Sequence, residues 1–130
     1  MAASKERCRV LVVDRDATVV KKLLNTLREN GYEAYGTCSP KAAGAIIPQF
    51  PLDAIISSAS CGPSVVNAAR AAARTHRKSR VLLLTPTAPD ENLDTLARQV
   101  DATVRTAPVE SYASETLEFV RAPEQLIRAA

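Results

Sequence analysis

Short apolar runs alternate along this chain with stretches where apolar residues recur every three or four positions, the pattern of strands separated by helices. Arg9 to Val13 (RVLVV) is a continuous β-branched run and predicts a strand buried on both faces. Asp14 to Asp16 end it and offer a helix N-cap. Val19, Val20, Leu23, Leu24 and Leu27 then recur at helical spacing, with Lys21, Lys22, Asn25 and Arg28 opposite and Gly31 as the closing residue. Tyr32 to Thr37 predicts a second strand. Ser39-Pro40 joins a capping hydroxyl to a proline at the first helical position, and Pro48 bounds that helix.

Asp53 to Ser57 predicts a third strand, and Val65, Val66, Ala69, Ala72 and Ala73 the apolar face of a third helix. Val81 to Leu84 is the fourth strand and the most apolar run. Leu93, Leu96, Ala97 and Val100 mark a fourth helix, and Ala102 to Val104 a short fifth strand. Glu110 to Arg121 predicts a fifth helix with Tyr112, Ala113, Thr116, Leu117 and Val120 inward. Pro123 is expected to break it, leaving 124–130 as a last helical turn or the start of a linker.

Strands that alternate with helices require right-handed crossovers and a parallel sheet covered on both faces. The fold class that follows is α/β: a flavodoxin-like, doubly wound, five-stranded parallel sheet in the order 2-1-3-4-5. In that arrangement the functional crevice lies beyond the carboxyl ends of the strands, near the first and third.

A length of 130 residues fits one domain with a sizeable core, and 46% hydrophobic with 24% charged residues argues against disorder. With 4% aromatics and no Trp, that core must be aliphatic. A net charge of +3 is mild and predicts no nucleic-acid role for this domain itself. Cys8, Cys38 and Cys61 form no close pair and no metal pattern; they are expected to be buried or semi-buried small hydrophobes, with a redox role for Cys61 as the alternative. Met1 to Arg9 lacks the apolar core of a signal peptide, and no run approaches a membrane span. Cytoplasmic location, no membrane contact, no metal and no cofactor are the expectations.

The residues after the strands carry a family likeness. Leu11 to Asp14 (LVVD), Gly31-Tyr32 after the first helix, Leu52-Asp53 before the third strand, Leu82 to Thr85 (LLLT), and Pro108 before the last helix fall in one order. Over roughly residues 8–122 the chain resembles the receiver domain of bacterial response regulators. The resemblance implies one domain over 1–122. It also implies a site made of an acidic pair that holds Mg²⁺, an acceptor aspartate, a Thr or Ser hydroxyl, and a Lys before the last Pro.

Carried over by position, Asp14 matches the first acid, Arg15 replaces the second, Ser58 stands at the acceptor, Thr85 matches the hydroxyl, and Ala107 replaces the Lys. Val104 falls near the position of a switch aromatic in many receivers. A fixed cation where the metal needs an anion, and a hydroxyl with no base to activate it, leave aspartyl phosphorylation without its parts. The expected function is a phosphorylation-independent pseudo-receiver, a non-enzymatic protein-interaction module in bacterial signalling or transcriptional regulation. Arg15 is expected either to pair with Asp14 or Asp16 and plug the old metal position, or to join Ser57, Ser58 and Thr85 in an anion-binding crevice.

Arg70, Arg74 and Arg77 follow helical spacing as one basic stripe, continued by His76, Lys78 and Arg80: contact with an acidic partner or nucleic acid, or a solvated outer helix face, which the lack of interleaved aromatics favours. Glu110, Glu115 and Glu118 make the last helix acidic. The resemblance points to the fourth helix, fifth strand and fifth helix as the face for a protein partner or self-association, while solvation alone predicts the same charges. An output domain follows if the chain belongs to a longer regulator.

Overall fold

Residues 8–75 and 78–129 are described by the computed structural model, with side chains as far as 122. Five strands among them, β1 (Arg9–Val13), β2 (Glu33–Thr37), β3 (Ala54–Ser58), β4 (Arg80–Thr85) and β5 (Thr103–Thr106), form one sheet. Its order is β2-β1-β3-β4-β5, and every neighbouring pair is parallel, as the alternation predicts. The helices are α1 (Ala17–Glu29), α2 (Pro40–Ile46), α3 (Gly62–Ala72), α4 (Glu91–Arg98) and α5 (Tyr112–Ala129).

The period-two alternation of each buried strand divides the apolar residues between two cores. Val10, Val12, Ile56, Leu82 and Leu84 pack against Val20, Leu23 and Leu27 of α1 and Tyr112, Phe119 and Val120 of α5. Leu11, Val13, Ile55, Val81 and Leu83 meet Ala43 of α2, Val65 and Val66 of α3, and Ala97 of α4. Full burial of one Leu, Ile or Val stabilises by about 1.5–3 kcal/mol, so these runs dominate the fold's stability.

Local chemistry sets the boundaries. Asp16 caps α1 by accepting from the Thr18 N–H at 2.9 Å, Ser39 caps α2 through Ala42, and Asp90 caps α4 through Leu93. Gly31, with φ of 89°, ends α1 while the Tyr32 N–H bonds back to Leu27. Asp101 does the same for α4 at φ 54°, with Ala102 bonding back to Ala97.

Several boundaries differ from the sequence expectation. β5 lies at Thr103–Thr106 instead of Ala102 to Val104, because Ala102 closes the α4 turn. β3 starts at Ala54, since Asp53 accepts at its side chain from the Arg9 N–H at 2.8 Å and leads into the strand. The segment from Val109 to Ser111 is a 3-10 turn ahead of α5. α5 does not break at Pro123 but continues to Ala129. Proline's fixed φ is compatible with helical backbone, so the helix can run on through it, at the cost of the N–H that would serve the Phe119 carbonyl and of crowding between a proline ring and the carbonyl four residues back.

α3 ends at Ala72, with the Arg74 and Thr75 N–H groups bonding back three residues and the Thr75 hydroxyl reaching the Ala72 carbonyl. Arg74 therefore sits in the following turn, and the basic stripe does not form one helical face. Arg77 and His76 lie outside the described residues. Cys61 is buried, but Cys38 is exposed and departs from the expectation for the cysteines.

Candidate functional site

The carboxyl ends of β1, β3, β4 and β5 place the five receiver-matched positions around one edge of the sheet. Val13 pairs with Ser57, Ser58 with Leu84, and Thr85 with Thr106, so Asp14, Ser58, Thr85 and Ala107 all follow or end adjacent strands. Asp14 is partly buried and accepts from the Asp16 N–H at 2.9 Å. Burial raises its carboxyl pKa; that hydrogen bond opposes the shift and the Asp16 charge adds to it. Tyr112, buried against the same end, has its phenol pushed up by burial and by the Asp14 charge.

Arg15 does not plug this space. It is exposed, and no carboxylate among the described residues lies within ion-pair distance of it. Asp14 and Asp16 instead spend their side chains on backbone N–H groups, Asp16 as the α1 cap. The physical reason is geometric: residue 15 falls in the turn between strand and helix, where its long side chain points to water at no desolvation cost.

The anion-binding set is likewise not assembled as four free donors. Ser57 is fully buried and its hydroxyl donates to the Ser58 carbonyl at 2.8 Å. Ser58 shares a hydroxyl contact of 3.2 Å with Ser60. Thr85, 5% exposed, donates to the Thr87 carbonyl at 2.9 Å and accepts from the Thr87 N–H at 3.3 Å. Ala107 is buried at the end of β5 and holds its strand by an N–H bond to the Thr85 carbonyl. A cavity of about 500 Å³ opens beside Thr85, lined by Ala59, Ser60, Pro63, Thr87, Asp90 and Leu93 among others, and neither Arg15 nor Ser57 reaches it.

The charged helix positions are placed differently from a bare solvated face. Arg105 of β5 donates to Glu115 at 3.0 Å and to Glu118 at 2.6 Å, while Glu110 stays exposed. Arg70 donates to Gln99 at 3.1 Å and ties α3 to the end of α4. Between α4 and β5 lies a groove of about 470 Å³, floored by Ala97, Ala102 and Val104 and rimmed by Asp94, Arg98 and Asp101. The pairing of Arg105 is not legible along the chain; its one signal is the Glu115 and Glu118 spacing of three, which presents two carboxylates on one helical face. Phe119 is also buried on the inward face of α5, where it completes the Tyr112–Thr116 row one turn further on.

No protein-family model and no curated protein sequence matches the chain. Solved structures do. The chain has the fold of the receiver domains of response regulators: the chemotaxis response regulator CheY4 of Vibrio cholerae is 25% identical, with a TM-score of 0.69 over 88% of this chain and 98% of that one. A CheY-like receiver protein from Methanospirillum hungatei matches at TM-score 0.69 and 14% identity, over 92% of this chain and 98% of that one. A de novo designed Rossmann 2x3 protein also matches, at TM-score 0.67 and 18% identity, over 87% and 89% of the two chains. The likeness is therefore one of fold, and function has to be argued from the site. No helix among the described residues is long and apolar enough to cross a membrane.

Proposed function

We propose that this chain is a pseudo-receiver: a non-enzymatic, cytoplasmic protein-interaction module of bacterial signalling that works without aspartyl phosphorylation. The observation that carries it is the chemistry at the carboxyl edge of the sheet. Asp14 is the one carboxylate among the five matched positions, with Arg15, Ser58, Thr85 and Ala107 at the others. Transfer of a phosphoryl group to this edge would need a carboxylate nucleophile and cations to offset charge repulsion. A serine hydroxyl and a buried alanine supply neither.

The interaction role is supported by the α4–β5–α5 side, where an apolar groove floor is bordered by charges of both signs, as at protein interfaces with an apolar centre and polar rim. A sensor for a small anionic or phosphorylated ligand in the former crevice has less support, because the Ser57 and Thr85 hydroxyls are already engaged.

Incubation with acetyl phosphate, or with beryllofluoride, in the presence of Mg²⁺ tests the reading. The expected result is no phosphoryl adduct by mass spectrometry and no change in the amide spectrum. A stoichiometric adduct would overturn it.

A further inference from the structure

At the opposite end of the sheet, a guanidinium has no carboxylate within ion-pair distance among the described residues. Arg80 opens β4, and its Cζ lies over the Phe119 ring at 4.0 Å from the centroid. It makes no ion pair among the described residues, although it is only partly exposed. The one buried side-chain N or O atom without a hydrogen-bond partner among the described residues is the Thr116 hydroxyl, so the Arg80 nitrogens are not sealed away. Arg80 lines a pocket of about 280 Å³ together with Lys78, Ser79, Asp101, Thr103 and the same Phe119.

The pocket's other groups are accounted for. Lys78 and Asp101 neutralise each other at 2.7 Å, and the Ser79 hydroxyl donates to the Leu52 carbonyl. What remains among the described lining residues is one partly desolvated cation, restrained by the ring beneath it, in a pocket that Thr103 also lines. Burial pushes the Arg80 pKa down, with Cys8 opposing and the charge of Arg105 adding to the shift, so the positive form gains from any anion placed beside it.

We infer that the pocket at the amino ends of β4 and β5 binds a small oxyanion, a carboxylate or phosphate group, on the Arg80 guanidinium. A guanidinium lying over an aromatic ring loses little further freedom on binding, and its planar edge matches the paired oxygens of either group. The volume admits such a group with a short stem. This site is independent of the carboxyl-edge crevice, so its failure and the failure of the phosphorylation-independent reading are separate results.

Inorganic phosphate and malonate are titrated separately into the full chain while the Thr103 amide resonance, present in every variant, and the Tm are followed. A saturable shift of that resonance with a rise in Tm is expected from at least one, and which one responds assigns the group. Arg80→Met should abolish both effects. Arg80→Lys keeps the charge but loses the planar fork, and should weaken binding about tenfold or more. Lys21→Met removes an equal charge from exposed α1 and should leave binding unchanged. Shifts that do not saturate with either anion, or that persist in Arg80→Met, would overturn the inference; if Arg80→Met does not fold, unweakened binding by Arg80→Lys would do so.

Discussion

The Thr85 hydroxyl is committed to Thr87: it donates to the Thr87 carbonyl at 2.9 Å and receives the Thr87 N–H at 3.3 Å. At a position where the receiver resemblance implies a phosphoryl contact, the side chain closes its own loop. Removing the hydroxyl takes both bonds from a side chain that is itself buried, and each such bond is worth about 0.5–1.5 kcal/mol net. Thr85→Val, similar in shape, should therefore destabilise by about 1–2 kcal/mol, whereas Thr85→Ser should keep most of the stability. Urea unfolding of both variants checks the difference, and an unchanged midpoint in Thr85→Val would remove the loop role.

Gly36 and Gly44 should respond in opposite directions. A Cβ at Gly36 would meet Val20 Cγ1 at 2.6 Å and Leu24 Cδ1 at 3.0 Å, because α1 packs directly on β2. Gly36→Ala should cost about 1–3 kcal/mol as overpacking. A Cβ at Gly44, inside α2, would meet nothing within 4 Å. Gly44→Ala should gain about 0.5–1 kcal/mol from helix propensity and a less flexible unfolded chain. Thermal melts of the two variants read both signs.

Asp14 gives a pH dependence of defined sign. Burial raises its folded-state pKa above the ordinary 3.8, so the folded chain holds the proton more tightly than the unfolded one. Stability from this group falls as pH rises through that window, and is regained as pH falls back towards 3.8. Asp14→Asn keeps an oxygen to accept the Asp16 N–H and removes the buried charge. The variant should be more stable than the parent at neutral pH, with the difference shrinking on acidification. Denaturant midpoints across the acid range test this, and a variant less stable at neutral pH would contradict it.

The Arg105 clamp separates stability from surface on α5. Arg105→Ala should lose about 1 kcal/mol or less, since the pairs are only partly buried, and the loss should shrink in high salt. Glu110→Lys, at an exposed position, should leave the Tm unchanged while altering capture of a partner at the α4–β5–α5 face. Equal effects of Glu110→Lys and Glu115→Lys on stability would show that the clamp contributes nothing.

The fold was readable because its causes are local and repeated. Apolar runs of four or five residues separated by helical periods leave few arrangements once crossovers must be right-handed. The substitutions at Arg15, Ser58 and Ala107 were equally plain, since residue type alone removes a carboxylate or a cation. Side-chain partners were another matter. Arg15 next to Asp14 and Asp16 suggests an ion pair, yet the turn sends it into water; Glu115 and Glu118 suggest an exposed face, yet Arg105 from another strand reaches both.

By itself, then, the sequence determined the layers, the strand order and which residue types stand at the sheet's carboxyl edge. Tertiary structure decided which charges are satisfied: Arg105 by two glutamates, Lys78 by Asp101, and Arg80 by no acid among the described residues. The reason is that backbone periodicity is written in neighbours along the chain. Ion pairs and ring contacts instead join residues that only packing of one strand against a distant helix brings within a few ångströms.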